Sequence, residues 1–303
     1  MPPALRNSAI SRRSVLAGSA ALALLAACSR NSSDDDSSTP RLTLEPDGDG
    51  RVLIANFAYG DNYLITGAPQ RMPFLIGVGG APTTDAPAEL TMQLSLDGQD
   101  VGDPIVVPAH TDGVPLPYFP LNVTFEEAGL WTVTTELDGA PATQTMQVSE
   151  PDAVALVQPG QAMRPAETPT DEDHRGVEPI CTASPECPLH SQTLAAALDV
   201  GTPVAFLVGT PAYCRTGLCG PVLDLLVEEA PSRPDMQFVH AEVYADAAAT
   251  GDVSTAQLAP IIDTYDLTFE PSLFVADATG TVRARLDNVY DRIELRQALA
   301  SVS

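Results

Sequence analysis

The sequence predicts two folded parts in tandem, an all-β sandwich at residues 41–150 and an α/β part with a mixed central sheet at residues 191–303. The first part shows strict alternation of apolar and polar residues with Asp-Gly turns, which is typical of antiparallel strands. In the second part, helical and strand patterns alternate along the chain. A proline-rich stretch at 151–190 separates the two, and a length of 303 residues fits about two domains.

The first 27 residues have the layout of a cleaved export signal. Arg12 and Arg13 precede an uncharged stretch rich in Ala and Leu that ends at Ala27. This stretch is too short and too rich in alanine to predict a spanning helix. The adjacent arginines indicate export by the twin-arginine route.

The end of this signal, Leu25-Ala26-Ala27-Cys28, resembles the lipobox of bacterial lipoproteins. The resemblance implies that Cys28 becomes the acylated first residue of the mature chain, which would anchor it to the outer face of the cytoplasmic membrane. Residues 28–40 are rich in serine and aspartate and predict a solvated polar tether.

Composition excludes several kinds of function. The formal net charge is -25 and the chain contains no lysine, so Schiff-base lysine chemistry is excluded and nucleic acid is not expected as a partner. We expect neither a cofactor nor a metal ion. With Cys28 lipidated, four of the five cysteines remain, an even number for an oxidising compartment.

Alternating segments predict the strands of the sandwich. Leu90 to Leu96 and Trp131 to Leu137 alternate apolar and polar side chains, and each ends at an Asp-Gly turn, Asp97-Gly98 and Asp138-Gly139. The stretch from Phe125 to Val133 resembles the penultimate-turn signature of immunoglobulin-like extracellular modules. Prolines among acidic and small residues then predict an interdomain linker.

The C-terminal pattern predicts the order helix, strand, helix, strand, helix, strand, strand, helix. The predicted strands cover 204–208, 236–244, 272–276 and 281–286. Ser254 with Gln257, and Asp291 with Glu294, are capping-box pairs that predict the starts of the last two helices.

Two cysteines, Cys214 and Cys219, lie between the first of these strands and the following helix, and Glu270-Pro271 precedes a later strand. With the terminal hairpin and helix, these features resemble the thioredoxin fold over residues 191–303. The resemblance implies redox cysteines at this position and a cis-proline at Pro271 facing them.

The expected chemistry at this position is thiolate attack. A cysteine near a helix N-terminus has a lowered pKa, and Arg215 adds a nearby positive charge. Four residues separate the cysteines where the thioredoxin family has two, so the alignment is open. Cys214 is our choice of attacking thiol. A permanent disulfide and a peroxiredoxin-type peroxidase site remain alternatives.

A second pair, Cys181 and Cys187, lies upstream. With the later pair, this Cys-x5-Cys segment resembles thioredoxin-domain lipoproteins of high-GC bacteria. A small structural disulfide is the expected state. The alternatives are a relay pair and a metal site that would also use His190 and His174. His240, in an apolar strand, is expected to be a core or edge residue, and copper delivery of the Sco type ranks below these.

The resulting hypothesis is a membrane-anchored extracytoplasmic thiol-disulfide oxidoreductase that acts through Cys214 and Cys219, with Pro271 at the site. Its partners would be thiols or disulfides of exported proteins and an unidentified redox protein. The alternatives are a thiol peroxidase and a non-catalytic surface binding lipoprotein with structural disulfides.

Overall fold

A computed structural model describes residues 50–58, 60, 63–214, 216–246 and 253–302. The predicted signal peptide, the predicted lipidation site Cys28, the whole of the predicted tether at 28–40 and Arg215 lie outside the described residues. Among the residues that are described, no helix is long and apolar enough to cross a membrane.

Nine strands form two sheets in the N-terminal part. The strands are β1 (Arg51–Ala55), β2 (Leu64–Ile65), β3 (Pro69–Val78), β4 (Ala81–Pro82), β5 (Glu89–Leu96), β6 (Gln99–Pro108), β7 (Phe119–Thr124), β8 (Gly129–Leu137) and β9 (Ala140–Ser149). In the first sheet β3 pairs with β1, β4 and β7, and the second has the order β2-β9-β8-β5-β6. Side chains of both sheets share one apolar core.

The two predicted Asp-Gly hairpins are confirmed. Strands β5 and β6 are antiparallel around Asp97-Gly98, and β8 and β9 around Asp138-Gly139. All four turn residues have positive φ angles, between 50° and 80°. Two successive positive φ angles give a turn whose twist matches that of the flanking strands, and Asp followed by Gly tolerates them.

The C-terminal part has the element order predicted from the sequence. The elements are α1 (Leu194–Asp199), β10 (Val204–Val208), α2 (Cys219–Glu229), β11 (Gln237–Ala241), α3 (Pro260–Tyr265), β12 (Ser272–Ala276), β13 (Val282–Asp287) and α4 (Arg292–Ala300). The sheet order is β11-β10-β12-β13. Strands β10 and β11 are parallel, whereas β12 is antiparallel to both of its neighbours.

Alternate side chains of the buried strand β10 enter two apolar clusters. Phe206 belongs to the cluster that includes residues of α1 and α3, and Leu207 to the one that includes residues of α2 and α4. Because successive side chains of a strand point to opposite faces, helices cover both faces of this sheet.

One predicted helix start is confirmed and the other is wrong. The carboxylate of Asp291 accepts a hydrogen bond from the Glu294 N–H at 2.9 Å and caps α4. Helix α3 begins only at Pro260, after the predicted Ser254–Gln257 box. The Gln257 N–H instead donates to the Asp246 carboxylate at 2.7 Å. Its hydrogen bond is therefore made to another segment and not to a helix cap.

The segment predicted as an interdomain linker is packed against the fold. It contains no helix or strand beyond a short 3-10 turn at Pro151–Ala153, yet its apolar side chains are buried, among them Leu156 and Met163. The Gly160 N–H donates to the Val282 carbonyl at 2.8 Å. The described residues, from 50 onward, accordingly belong to one compact unit.

Buried polar contacts join the sandwich to the C-terminal sheet and helix. Arg71 on β3 forms an ion pair with Glu294 on α4 at 2.6 Å, and both side chains are less than a tenth exposed. The Tyr63 hydroxyl donates to the Asp287 carboxylate at 2.7 Å. These contacts fix the sandwich on the side of the C-terminal part that carries α4.

Candidate active site

Cys214 and Cys219 form a disulfide at the loop between β10 and α2. Their Cα atoms are 5.9 Å apart, within the usual range for disulfides. Cys219 is the first residue of α2 and is buried, whereas Cys214 is partly exposed. The sulfur of Cys214 is therefore the one that a large partner can reach.

Two donors lie close to the Cys214 sulfur. The Cys219 N–H donates to Cys214 Sγ at 3.3 Å, and the Thr216 hydroxyl lies 3.2 Å from the same atom. The N–H belongs to the free N-terminus of an 11-residue helix. After reduction, both donors and the helix dipole would stabilise a thiolate at Cys214.

The predicted cis bond before Pro271 is present, and Pro271 lies beside the disulfide. Gly209, the residue after β10, lies between Pro271 and the disulfide. A Cβ added to Gly209 would lie 3.2 Å from Pro271 Cβ and 3.6 Å from Cys219 Sγ. Glycine at this position therefore allows the strand, the proline and the disulfide to pack closely.

The acid beside the disulfide is Glu270, which was not predicted to be a site residue. Its carboxylate accepts the Thr210 N–H at 2.7 Å and lies 3.5 Å from Cys219 Sγ. Burial raises the pKa of Glu270 to about 7. A carboxyl with this pKa can accept or return a proton near neutral pH. Glu270 could have been predicted as a site residue from its position, because it directly precedes Pro271, the proline that was expected to face the cysteines.

A cavity of about 360 Å³ opens beside Cys214. Most of its lining is apolar, with Glu270 at the end next to the disulfide; the apolar contributors include Val243, Tyr244, Leu258, Ile262, Leu267 and Phe269. A cavity of this kind can hold an apolar side chain of a bound polypeptide next to the reactive sulfur.

A second buried acid, Glu242, connects this site to the upstream cysteine loop. Its carboxylate accepts the Thr182 N–H at 2.6 Å, and the Thr182 hydroxyl in turn accepts the Ala212 N–H at 3.1 Å. Burial raises the pKa of Glu242. The loop that contains Cys181 is thus hydrogen-bonded to the loop that leads into Cys214.

The upstream pair lies in a group that we call the thiol-imidazole cluster, made of Cys181, Cys187, His190 and His240. All four side chains are buried, with at most 9 % of any of them exposed. Cys181 and Cys187 are free thiols, so the structure does not contain the disulfide expected between them. A hydrogen bond between the two side chains lowers the pKa of Cys181 and raises that of Cys187.

The two histidines that the sequence suggested as metal ligands lie in different places. His190 lies in the cluster, as the metal alternative required, and its Nε2 atom is 3.3 Å from Cys187 Sγ. His174 lies elsewhere, with its Nδ1 atom 2.6 Å from the Glu178 carboxylate and a largely exposed side chain. His240 on β11 takes the remaining position in the cluster, 3.4 Å from Cys187 Sγ.

Comparisons with known proteins give partial likenesses in shape. MTB dsbF, solved in its mixed oxidized and reduced forms, is 18 % identical and covers 37 % of this chain and 87 % of that one, with a TM-score of 0.29. Titin domain M3 is 12 % identical over 33 % of this chain and 98 % of that one, with a TM-score of 0.22. Superoxide reductase (neelaredoxin) from Ignicoccus hospitalis is 9 % identical over 34 % and 82 %, with a TM-score of 0.23.

No family model and no curated protein matches the sequence. The structural neighbours thus include a thioredoxin-like protein and immunoglobulin-like domains. Likenesses of this size concern shape alone. The chemistry of the site is therefore inferred from the side chains of this chain.

Proposed function

We propose that this protein is a thiol-disulfide oxidoreductase whose C-terminal part is thioredoxin-like, with Cys214 as the attacking and Cys219 as the resolving cysteine. One observation carries the proposal: a disulfide with one accessible sulfur beside an apolar cavity and one buried sulfur beside Glu270, whose pKa is about 7. Such an asymmetric pair divides the two steps of exchange between its two sulfurs.

In the reducing direction, the Cys214 thiolate attacks one sulfur of a substrate disulfide and displaces the other as a thiolate. A mixed disulfide between Cys214 and the substrate results. The Cys219 thiol then transfers its proton to the Glu270 carboxylate and attacks Cys214 Sγ. This second attack releases the other substrate thiolate and forms the Cys214–Cys219 disulfide, so two electrons pass to the substrate.

In the oxidising direction the same steps run in reverse. A substrate thiolate attacks Cys214 Sγ, and Cys219 leaves as a thiolate that takes the proton of Glu270. A second substrate thiolate then attacks the mixed disulfide and releases Cys214 as a thiolate. The relative stability of thiolate and disulfide sets the direction.

The proposed substrates are cysteine pairs of exported proteins. The apolar cavity beside Cys214 would hold a neighbouring side chain, and Pro271 would border the bound segment. We propose further that acylation at Cys28 holds the protein at the outer face of the cytoplasmic membrane. Because the chain carries a net charge of -25, anionic headgroups should repel its folded part, and the acyl chains would provide the attachment.

The direct test is a redox titration of the full-length chain in detergent. The chain is equilibrated in thiol buffers of graded potential, trapped with an alkylating agent, and each cysteine is assigned by peptide mass spectrometry. We expect the Cys214–Cys219 disulfide to convert reversibly between about -270 and -120 mV, the range of redox catalysts. A disulfide that persists below about -300 mV would be structural and would end the proposal.

Trapping distinguishes the roles of the two cysteines. A Cys219→Ser variant should attack a model peptide that contains a disulfide, release one of its sulfurs as a thiolate and accumulate the mixed disulfide at Cys214, because the resolving step is lost. The matched Cys214→Ser variant should accumulate little, since Cys219 is buried. Equal trapping by both variants would contradict the assignment, and stoichiometric consumption of hydrogen peroxide by the wild type would instead favour the peroxidase.

A further inference from the structure

The thiol-imidazole cluster has the composition of a tetrahedral zinc site. Two cysteine sulfurs and two imidazole nitrogens form the Cys2His2 set that structural zinc sites use. The four ligand atoms of Cys181, Cys187, His190 and His240 lie within 4.8 Å of one another, and all four residues are buried. A buried site with four protein ligands has no open position for a substrate, which is the mark of a structural site.

The distances within the cluster are close to the edges of a zinc tetrahedron. Bond lengths of about 2.0 Å to nitrogen and 2.3 Å to sulfur give edges of about 3.3 Å between nitrogens and about 3.5 Å between nitrogen and sulfur. His190 Nε2 and His240 Nδ1 are 3.2 Å apart. Cys187 Sγ lies 3.3 Å from the first nitrogen and 3.4 Å from the second. These three edges are thus within about 0.2 Å of the ideal, and the sulfur of Cys181 lies within 4.8 Å of the other three ligand atoms.

Hydrogen bonds orient the ligand atoms. His240 Nε2 donates to the Gly209 carbonyl at 2.9 Å, so its Nδ1 atom carries the lone pair that faces the cluster. Histidines that bind metals are usually held by such a contact of the other ring nitrogen. The Cys187 N–H donates to Cys181 Sγ at 3.3 Å. His190 Nδ1 has no partner among the described residues, so His240 is the better oriented of the two imidazoles.

A Cys181–Cys187 disulfide explains the cluster less well. It would use both sulfurs and leave two buried imidazole nitrogens facing each other at 3.2 Å. An ion uses all four groups. It would also fix a loop that has no regular secondary structure, since three ligands lie between residues 181 and 190 and the fourth lies on β11.

We propose that Cys181, Cys187, His190 and His240 bind one Zn²⁺ ion, which fastens the 181–190 loop to β11. Binding releases the protons of the two thiols and gives a neutral complex of Zn²⁺ with two thiolates and two neutral imidazoles. This site is separate from the Cys214–Cys219 pair, so either proposal can fail without the other.

Metal content and thiol protection test the site in the full-length chain. After reduction and incubation with Zn²⁺, gel filtration and elemental analysis should find about one zinc per chain. Alkylation of the native protein should label Cys181 and Cys187 only after a chelator is added. The matched control Cys214→Ser/Cys219→Ser should keep its zinc, whereas Cys181→Ser/Cys187→Ser should lose it.

Cobalt gives a readout that does not depend on the ligand variants folding. Co²⁺ added to the reduced wild type should produce the intense visible bands of tetrahedral coordination together with thiolate charge-transfer absorption, and Zn²⁺ should remove them. Either of two results would overturn the proposal: a native Cys181–Cys187 disulfide peptide, or reduced, folded protein that binds neither ion. Protein that is isolated with about one copper and no zinc per chain would overturn the choice of ion, because affinity alone favours copper at most nitrogen and sulfur sites.

Discussion

Replacing Glu270 by glutamine should make the protein more stable above neutral pH and slower in exchange. Glu270 lies in a partly buried position beside Cys219 and accepts the Thr210 N–H at 2.7 Å. Burial raises its pKa from the usual 4.5 to about 7. Glutamine has the same shape and can still accept this hydrogen bond, but it carries no charge at any pH.

The sign of the effect follows from proton linkage. Because the pKa of Glu270 is raised on folding, the folded protein binds more protons than the unfolded chain between pH 4.5 and about 7. The contribution of the protonated carboxyl is fully present below pH 4.5 and is lost as the pH rises through about 7. The full difference corresponds to roughly 3 kcal/mol as an upper limit, of which roughly 2.5 falls between pH 5 and pH 9.

Denaturant unfolding of the disulfide form at pH 5 and pH 9 measures this difference. We expect Glu270→Gln to gain up to roughly 2.5 kcal/mol over the wild type between the two pH values. The exposed Glu126→Gln provides the matched control and should show no such gain. A difference between wild type and Glu270→Gln that is equal at both pH values would refute the buried-carboxyl argument.

The Glu270→Gln variant also tests whether Glu270 acts as a base when Cys219 resolves the mixed disulfide. A general base contributes about 10²-fold or more to a proton-transfer step. We therefore expect resolution of the Cys214 mixed disulfide to be slower by about 10²-fold in Glu270→Gln. In the wild type this rate should rise with pH through about 7, and the variant should lack that inflection. An unchanged rate and pH profile would remove Glu270 from the mechanism.

Two further substitutions test packing, one where the sandwich meets α4 and one beside the disulfide. Arg71→Met should destabilise the protein by about 3 kcal/mol in denaturant unfolding, because it removes the ion-pair partner of the buried Glu294 and leaves the carboxylate only the Tyr118 hydroxyl as a hydrogen-bond donor among the described side chains. Adding Glu294→Gln should recover most of the loss, and a loss below about 1 kcal/mol would contradict this. Gly209→Ala should cost about 1 to 3 kcal/mol, since its Cβ would press on Pro271, whereas Gly220→Ala in open space should be neutral or stabilising. Equal melting temperatures for the two alanine variants would argue against close packing at Gly209.

Local signals in the sequence predicted much of the fold. The Asp-Gly pairs require positive φ angles and define the β5–β6 and β8–β9 hairpins. By contrast, strand β3 was not predicted, and its residues Met72 to Gly77 are all buried. A strand buried on both sides has no alternation, so its pattern does not differ from that of a buried helix.

The candidate site was predictable where the chemistry is local in sequence. Cys214, Cys219 and Pro271 occupy positions that the motif resemblance indicated, and the structure brings them together. The cluster was not predictable in this way, because His240 comes from a strand more than fifty residues beyond Cys187. His174, the histidine that was considered from the sequence, lies closer to these cysteines along the chain, but the fold places it at the surface.

The turn that follows β10 places the two sulfur sites next to each other. The Gly209 carbonyl accepts His240 Nε2–H from the thiol-imidazole cluster, while its Cα lies against Cys219. One residue further on, the Thr210 N–H donates to the Glu270 carboxylate. Since backbone groups of two successive residues orient both an imidazole and the acid, a displacement of this turn would reach both sites. The close packing of Gly209 against Pro271 opposes that displacement, so the rigidity of the turn is what keeps Glu270 within reach of the Cys219 sulfur.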